Sequence, residues 1–155
     1  MVRHGHQPDY CFCHALACSE AVTLSPLKAP PITKLADGRY RIGSDYPETT
    51  GLKGHNLSVG FCELDKNGLL LLKSGFIWNG VSYGLDTFDA MMPSAVHDCF
   101  YRLMQYGYLP KETKPVIDRT YYQHLKKWKC LTLRARLHYG VLRLFGAIHM
   151  RLSRA

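Results

Sequence analysis

The sequence predicts an α+β fold in which a small antiparallel sheet packs against three C-terminal helices. Short apolar segments separated by turn residues fill the first half of the chain, and helical apolar spacing fills the second half. The length of 155 residues suits one compact domain with its own core. Hydrophobic residues make up 46% and charged residues 21% of the chain, a composition typical of globular rather than disordered proteins.

Residues 1–24 are expected to form an N-terminal extension, and residues 25–155 a single domain. The extension contains Cys11, Cys13, His14 and Cys18, whose side chains are ligand types that zinc prefers. One residue between Cys11 and Cys13 is tighter than usual zinc spacing, so this is a weak metal site candidate. The apolar segment before Cys18 is too short for a signal peptide, and we expect none.

Three other cysteines lie in apolar surroundings and are expected to be buried free thiols, as in a reducing compartment. These are Cys62, Cys99 and Cys130. The pairing of the six cysteines stays open at this point, because spacing alone does not determine it.

Alternation of apolar and polar residues predicts the strands. Residues 38–43 alternate Tyr40 and Ile42 with arginines, which indicates a short strand. Residues 45–56 are polar and are expected to form a loop. Further strands are predicted at 57–64, 69–73 and 75–78, with a turn at 65–68 where Asn67-Gly68 tolerates positive φ.

The three helices are predicted at residues 93–105, at 113–128, and from 132 almost to the end of the chain. Pro93 suits the first position of a helix, where its missing N–H is not needed. Gly107 is a stop signal for that helix. The third helix carries an apolar stripe at steps of three or four residues: Leu133, Leu137, Val141, Leu144, Ile148 and Leu152.

The formal net charge of +8 is concentrated in the C-terminal third. Residues 111–155 contain eleven Lys or Arg and two acidic residues. A basic surface of this kind favours an anionic partner, namely nucleic acid, a membrane surface or an acidic protein. The alternative is a solvated helix face. The arginines assigned to this surface are Arg134, Arg136, Arg143 and Arg151.

The residues expected to carry chemistry lie in the first predicted helix. His97 and Tyr101 are four residues apart and share one helical face, with Asp98 beside them. An imidazole and a carboxylate on an apolar turn are costly unless they are paired.

The segment His97-Asp98-x-x-Tyr101 resembles the active-site helix of secreted sn-2 phospholipases. The resemblance implies that His97 is the general base for water, Asp98 a calcium ligand, Tyr101 a brace and Asp118 the group that orients His97. Antiparallel packing of the first two helices would bring Asp118 to His97, where a carboxylate fixes the imidazole tautomer and frees the other nitrogen to take a proton. It also implies a substrate or cation loop at Asn79, Gly80 and Ser82. Asn79 carries no charge, which weakens the case for calcium as cofactor.

A second resemblance covers about residues 36–150 and is to an uncharacterised family of phage and prophage genomes (domain of unknown function 1353). The motifs that carry it are, in order, Gly75-Phe76-Ile77-Trp78-Asn79-Gly80-Val81-Ser82, Pro93-Ser94-Ala95-Val96-His97-Asp98-Cys99-Phe100-Tyr101-Arg102, and Ile117-Asp118-Arg119 with Tyr121 and Tyr122. It implies a phage setting, in the virion or the host cytoplasm, and supplies no activity. Asn79 and Tyr83 depart from the Asp and Pro expected there.

Three functions are therefore open. The first is a His-Asp hydrolase that acts on an ester, with phospholipid as one candidate. The second is a non-catalytic phage virion or accessory protein that binds other proteins. The third is a nucleic-acid binder that uses the basic C-terminal helices. No apolar run reaches the roughly 18 residues of a transmembrane segment.

Overall fold

The structure is a computed structural model that describes residues 28–81 and 86–152, the last eight of these as helical backbone alone. The predicted α+β class is confirmed, because the strands of the described ranges all precede the helices. The strands are β1 (Ile32–Lys34), β2 (Tyr40–Ile42), β3 (Tyr46–Thr49), β4 (Leu57–Val59), β5 (Cys62–Leu64), β6 (Leu69–Leu72) and β7 (Ile77–Trp78). The helices are α1 (Phe88–Gln105), α2 (Lys114–Lys127) and α3 (Thr132–Leu152).

The described strands form two antiparallel sheets rather than one. The first sheet has the order β1-β2-β7, and the second has the order β3-β6-β5-β4. The expected single strand at 57–64 is wrong, because a turn at Gly60 divides it into β4 and β5, which pair with each other.

The expected loop at 45–56 is also wrong in its first part, which forms β3. Tyr46 and Glu48 point inward there, and the Tyr46 hydroxyl donates to Glu48 Oε2 at 2.7 Å. The polar composition of this segment favours a loop over a buried strand. Glu48 can nevertheless be buried in β3 because the Tyr46 hydroxyl donates to its carboxylate. Pro47 fits because β3 is an edge strand, where a missing N–H breaks no inner ladder.

Helix α1 begins at Phe88, five residues before the predicted start at Pro93. The amides of Ala90 and Met91 hydrogen-bond to the carbonyl of Thr87, so the first turn forms upstream of the proline. The side chains of Ala90, Met91 and Met92 are buried in the core. Burial of this extra turn outweighs the hydrogen bond that Pro93 cannot make.

Helices α2 and α3 begin within one residue of the predicted positions, but the orientation of α3 is not the one that its apolar stripe suggests. The described part of α3 buries Ala135, His138 and Leu142. Leu133, Leu137 and Leu144 are 75%, 65% and 72% exposed. The side chains of Ile148 and Leu152 lie outside the described residues. The leucine face of α3 is therefore open to solvent.

Specific contacts tie each sheet to a helix. Trp78 Nε1 at the end of β7 donates to Ser94 Oγ of α1 at 3.1 Å, and Arg102 of α1 donates to the Ile77 carbonyl at 2.9 Å. His124 of α2 donates from Nε2 to the Thr49 carbonyl of the second sheet at 3.1 Å. Helix α2 packs against both α1 and α3, and this brings the inner faces of all three helices together.

Cys62, Cys99 and Cys130 are buried free thiols, as expected from the sequence. Burial, with the neighbouring Cys62, raises the pKa of the Cys99 thiol well above its usual value. A thiol that stays protonated is a poor nucleophile, so Cys99 is a packing residue.

Candidate functional site

The structure brings His97 of α1 and Asp118 of α2 together. His97 Nε2 lies 3.3 Å from Asp118 Oδ1, and both side chains are buried. The two residues are 21 positions apart in sequence, and the packing of α1 against α2 closes the distance. This is the pairing that antiparallel packing of the two helices predicts.

Asp118 is fully buried and accepts two further hydrogen bonds. The Tyr101 hydroxyl donates to Oδ1 at 3.0 Å, and Lys114 Nζ donates to Oδ2 at 2.6 Å. Burial by itself would raise the pKa of Asp118, but the hydrogen bonds from His97 and Lys114 outweigh it and the pKa lies below its usual range. Asp118 is therefore ionised at neutral pH. Burial and the adjacent carboxylate raise the pKa of Tyr101, so its hydroxyl stays a donor.

The ionised carboxylate determines the state of the imidazole. A carboxylate only accepts hydrogen bonds, so His97 Nε2 must carry the proton that points at Asp118. In a neutral ring the other nitrogen, Nδ1, then keeps its lone pair. Nδ1 lies 4.0 Å from Asp98 Oδ1. That distance is too long for a direct hydrogen bond.

A small pocket opens beside this pair. Its volume is about 190 Å³, including the solvent at its mouth, and its lining comes from all three helices: Ser94, His97, Asp98, Tyr121 and Leu142. The space at its base is about that of one water molecule. Asp98 has a partly exposed side chain, whereas His97 is buried in the wall. The basic nitrogen and a water-sized space therefore occur at one place.

The loop that the sequence assigned to substrate or cation binding is built separately from this pocket. Asn79 is exposed, and Gly80 packs against Asp86 and Tyr40. Asp86 Oδ1 accepts from the Val81 amide at 2.8 Å. Neither Asn79 nor Gly80 contributes to the pocket wall, and Ser82 lies outside the described residues.

The described side chains give the calcium hypothesis no support. No group of three or more His, Cys, Asp or Glu side chains gathers among them in an arrangement that could hold a metal ion. Asp98 stands at the pocket without a second carboxylate ligand from the 79–81 turn. The weak zinc candidates Cys11, Cys13, His14 and Cys18 lie outside the described residues.

A second buried carboxylate has the same kinds of partners but a different setting. Glu48 accepts from the Tyr46 hydroxyl at 2.7 Å and from Lys127 Nζ at 2.6 Å, and His124 Nε2 lies 3.8 Å from it. His124 Nδ1 is buried and has no hydrogen-bond partner in the described structure. This cluster joins β3 to α2. Its histidine does not line the pocket beside Asp118.

The four arginines assigned to a basic surface differ in their surroundings. Arg134 pairs with Asp89 and also contacts Cys130. Arg143 is half-exposed and its NH1 lies 3.9 Å from Asp118 Oδ2. Arg136 is exposed, and the side chain of Arg151 lies outside the described residues. The basic surface on the described part of α3 therefore centres on Arg136 and Arg143.

Two participants were missed in the sequence. Lys114 precedes Asp118 by one helical turn, and this four-residue spacing was the available signal. Tyr121 forms part of the pocket wall, with its hydroxyl 3.0 Å from His138 Nδ1 and its ring centroid 5.0 Å from that of His97. Nothing in the local pattern distinguishes Tyr121 from a core aromatic.

Comparisons of the chain with protein-family models, with curated proteins and with solved structures found no match.

Proposed function

We propose that this protein is an ester hydrolase in which His97 is the general base that activates water. The observation that carries the proposal is the 3.3 Å pairing of His97 Nε2 with the buried carboxylate of Asp118, at the wall of a pocket. Tyr101 and Lys114 hold that carboxylate in place and ionised. A base with a fixed tautomer beside a water-sized space is the arrangement that general base catalysis needs.

In the proposed reaction, His97 Nδ1 takes a proton from water while the water oxygen attacks the ester carbonyl carbon. The imidazolium that forms stays hydrogen-bonded through Nε2 to Asp118, which stabilises its charge. Collapse of the tetrahedral intermediate breaks the bond to the alcohol oxygen. That oxygen receives the proton from Nδ1, so the products are a carboxylic acid and an alcohol, and His97 returns to its neutral form.

The size of the pocket restricts the substrate. Its enclosed space is about that of one water molecule, far below the roughly 300–1,000 Å³ of pockets that enclose a whole ligand. It suits the reacting water, while the substrate stays at the mouth. Large esters such as phospholipids, reached at one carbonyl, are therefore better candidates than small soluble esters that need enclosure.

The phage setting stays a prediction that rests on the resemblance of residues 36–150. A non-catalytic phage component is the alternative for the same site, in which the His97, Asp118 and Tyr101 cluster would be a buried clamp between α1 and α2. The adjoining pocket favours the hydrolase, because a clamp needs no open space beside it.

The test is hydrolysis of an ester panel that runs from short acyl esters to phospholipid in vesicles. The wild type is compared with His97→Asn and with His124→Gln, which changes a buried histidine outside the pocket wall. Loss of general base catalysis should lower the rate by about 10²–10⁴-fold in His97→Asn. His124→Gln should keep the wild-type rate per folded molecule. Each assay is run with calcium and with chelator.

Folding is measured on the same samples by circular dichroism and urea unfolding. Equal rates for folded His97→Asn and wild type would show that His97 is not the base. A folded wild type that hydrolyses nothing in the panel would favour the clamp.

A further inference from the structure

The exposed leucine face of α3 is a feature that the proposed hydrolase does not use. Leu133, Leu137 and Leu144 follow one another at helical spacing and lie within about 40° around the helix axis. Each is at least 65% exposed. Single exposed leucines are ordinary, but an aligned row of them on one helix marks a binding surface.

The charges beside this face identify the chemistry of its partner. Arg136 and Arg143 lie to one side of the leucine row and are exposed or half-exposed. Residues 119–155 contain nine Lys or Arg and no Asp or Glu. A second copy of the chain would bring two such cationic faces together with no acidic group on α3 to compensate. The partner must therefore be both anionic and able to accept leucine side chains.

We infer that the leucine face of α3, together with Arg136 and Arg143, docks on an anionic lipid surface. Lipid headgroups supply negative charge, and the acyl region just below them accepts leucine without a shaped pocket. A nucleic acid would satisfy the arginines and leave the leucines without apolar contacts. No helix of the described residues is long and apolar enough to cross a bilayer. The binding inferred here is therefore interfacial.

The inference goes beyond the proposed hydrolase and does not depend on it. The leucine row points away from the side of α3 that carries Leu142 and the pocket wall. A protein without catalytic activity could use the same face. Binding and hydrolysis are therefore measured separately, and His97→Asn should bind vesicles as the wild type does.

The experiment is co-sedimentation of the full chain with vesicles of phosphatidylglycerol and phosphatidylcholine in equal parts, and with phosphatidylcholine alone. The wild type should bind the anionic vesicles more tightly, and salt should weaken the binding. The double variant Leu133→Ser/Leu137→Ser should weaken it by at least about tenfold, since two buried leucines are lost. Arg136→Glu should weaken it by at least about fivefold.

Two control variants test whether these effects belong to α3. Leu69→Ser changes an exposed leucine of β6, and Arg41→Glu reverses an exposed charge of β2. Both should bind nearly as the wild type does. Equal binding of the α3 variants and the wild type would overturn the inference, as would a folded wild type that binds neither vesicle. Self-association abolished by the leucine substitutions, without vesicle binding, would assign the face to a second copy instead. DNA binding that the leucine substitutions leave intact, without vesicle binding, would overturn it in favour of nucleic acid.

Discussion

The ammonium of Lys114 lies 2.6 Å from Oδ2 of Asp118, one helical turn away, while the other oxygen of that carboxylate holds His97 and Tyr101. Asp118 thus forms an ion pair with Lys114, which keeps the carboxylate charged. It also forms a hydrogen bond with His97, and the charge fixes the tautomer of that imidazole. Lys114 also donates to the Leu142 carbonyl of α3 at 3.3 Å. One buried carboxylate therefore joins all three helices, and its removal should affect both stability and the proposed chemistry.

Asp118→Ala should lower the free energy of unfolding by about 3–5 kcal/mol, because it leaves the mostly buried ammonium of Lys114 without its partner. The double variant Asp118→Ala/Lys114→Met should recover part of this loss, since methionine carries no charge to desolvate. Urea unfolding of wild type, both single variants and the double variant gives the coupling energy. Additive losses would mean that the two groups do not interact in solution.

The sequence predicts which residues form this cluster but does not predict the pocket beside it. The spacing of His97 and Tyr101 places them on one face, and the antiparallel arrangement of two neighbouring helices brings Asp118 to them. The pocket depends on Tyr121 and Leu142, which are residue types that ordinarily fill a core. Pocket walls depend on how helices pack, and a periodic pattern does not encode the packing angle.

The orientation of α3 and the presence of β3 likewise depend on packing that the local sequence pattern does not predict. The apolar stripe of α3 is stronger than the small face formed by Ala135, His138 and Leu142, yet the small face is the buried one. His138 can be buried because its Nδ1 forms a hydrogen bond with the Tyr121 hydroxyl. In the same way, the pairing of Glu48 lets a polar segment become β3. Burial of paired polar groups is a tertiary effect that local composition does not reveal.

Two histidines should make stability depend on pH near neutrality. Burial lowers the pKa of His124 and of His138 below the usual 6.5. The unfolded chain then binds more protons than the folded one as the pH falls below about 6.5, so stability decreases in that direction. Above that pH the stability that the two buried, neutral histidines allow is fully present. Thermal unfolding measured between pH 7.5 and pH 5 should show this loss of stability. Each histidine should lower the free energy of unfolding by at most about 1.4 kcal/mol per pH unit.

The control for this dependence is His124→Gln, since glutamine can still donate to the Thr49 carbonyl but does not titrate. Its stability should change less steeply over the same range than that of the wild type. An identical slope would show that His124 is not a source of the pH dependence.

Replacement of Gly80 by a residue with a side chain should destabilise the protein. Its φ is +84°, and a Cβ there would lie 2.6 Å from Asp86 Oδ1 and 2.9 Å from a ring carbon of Tyr40. Asp86 cannot easily move, because it accepts hydrogen bonds from the Val81 amide and the Tyr40 hydroxyl, each at 2.8 Å. Gly80→Ala should therefore cost about 1–3 kcal/mol of unfolding free energy.

Gly38→Ala separates backbone strain from steric clash, because Gly38 has a similar φ of +85° but nothing within 4 Å of its Cβ position. It should show the cost of the left-handed conformation alone and should destabilise the protein less than Gly80→Ala. Equal losses would mean that Asp86 and Tyr40 make room without cost.

Glu48 provides the sharpest test of which buried carboxylate belongs to the proposed site. Glu48→Ala leaves the buried Tyr46 hydroxyl without its acceptor, while Lys127 is exposed enough to regain water, so we expect a loss of about 1–3 kcal/mol. Hydrolysis per folded molecule should stay at the wild-type rate, because neither Glu48 nor His124 lines the pocket beside Asp118. Asp118→Asn should instead lower hydrolysis through His97, even where the protein stays folded. Loss of hydrolysis in folded Glu48→Ala would place the chemistry at the junction of β3 and α2, and would leave His97 and Asp118 as the clamp.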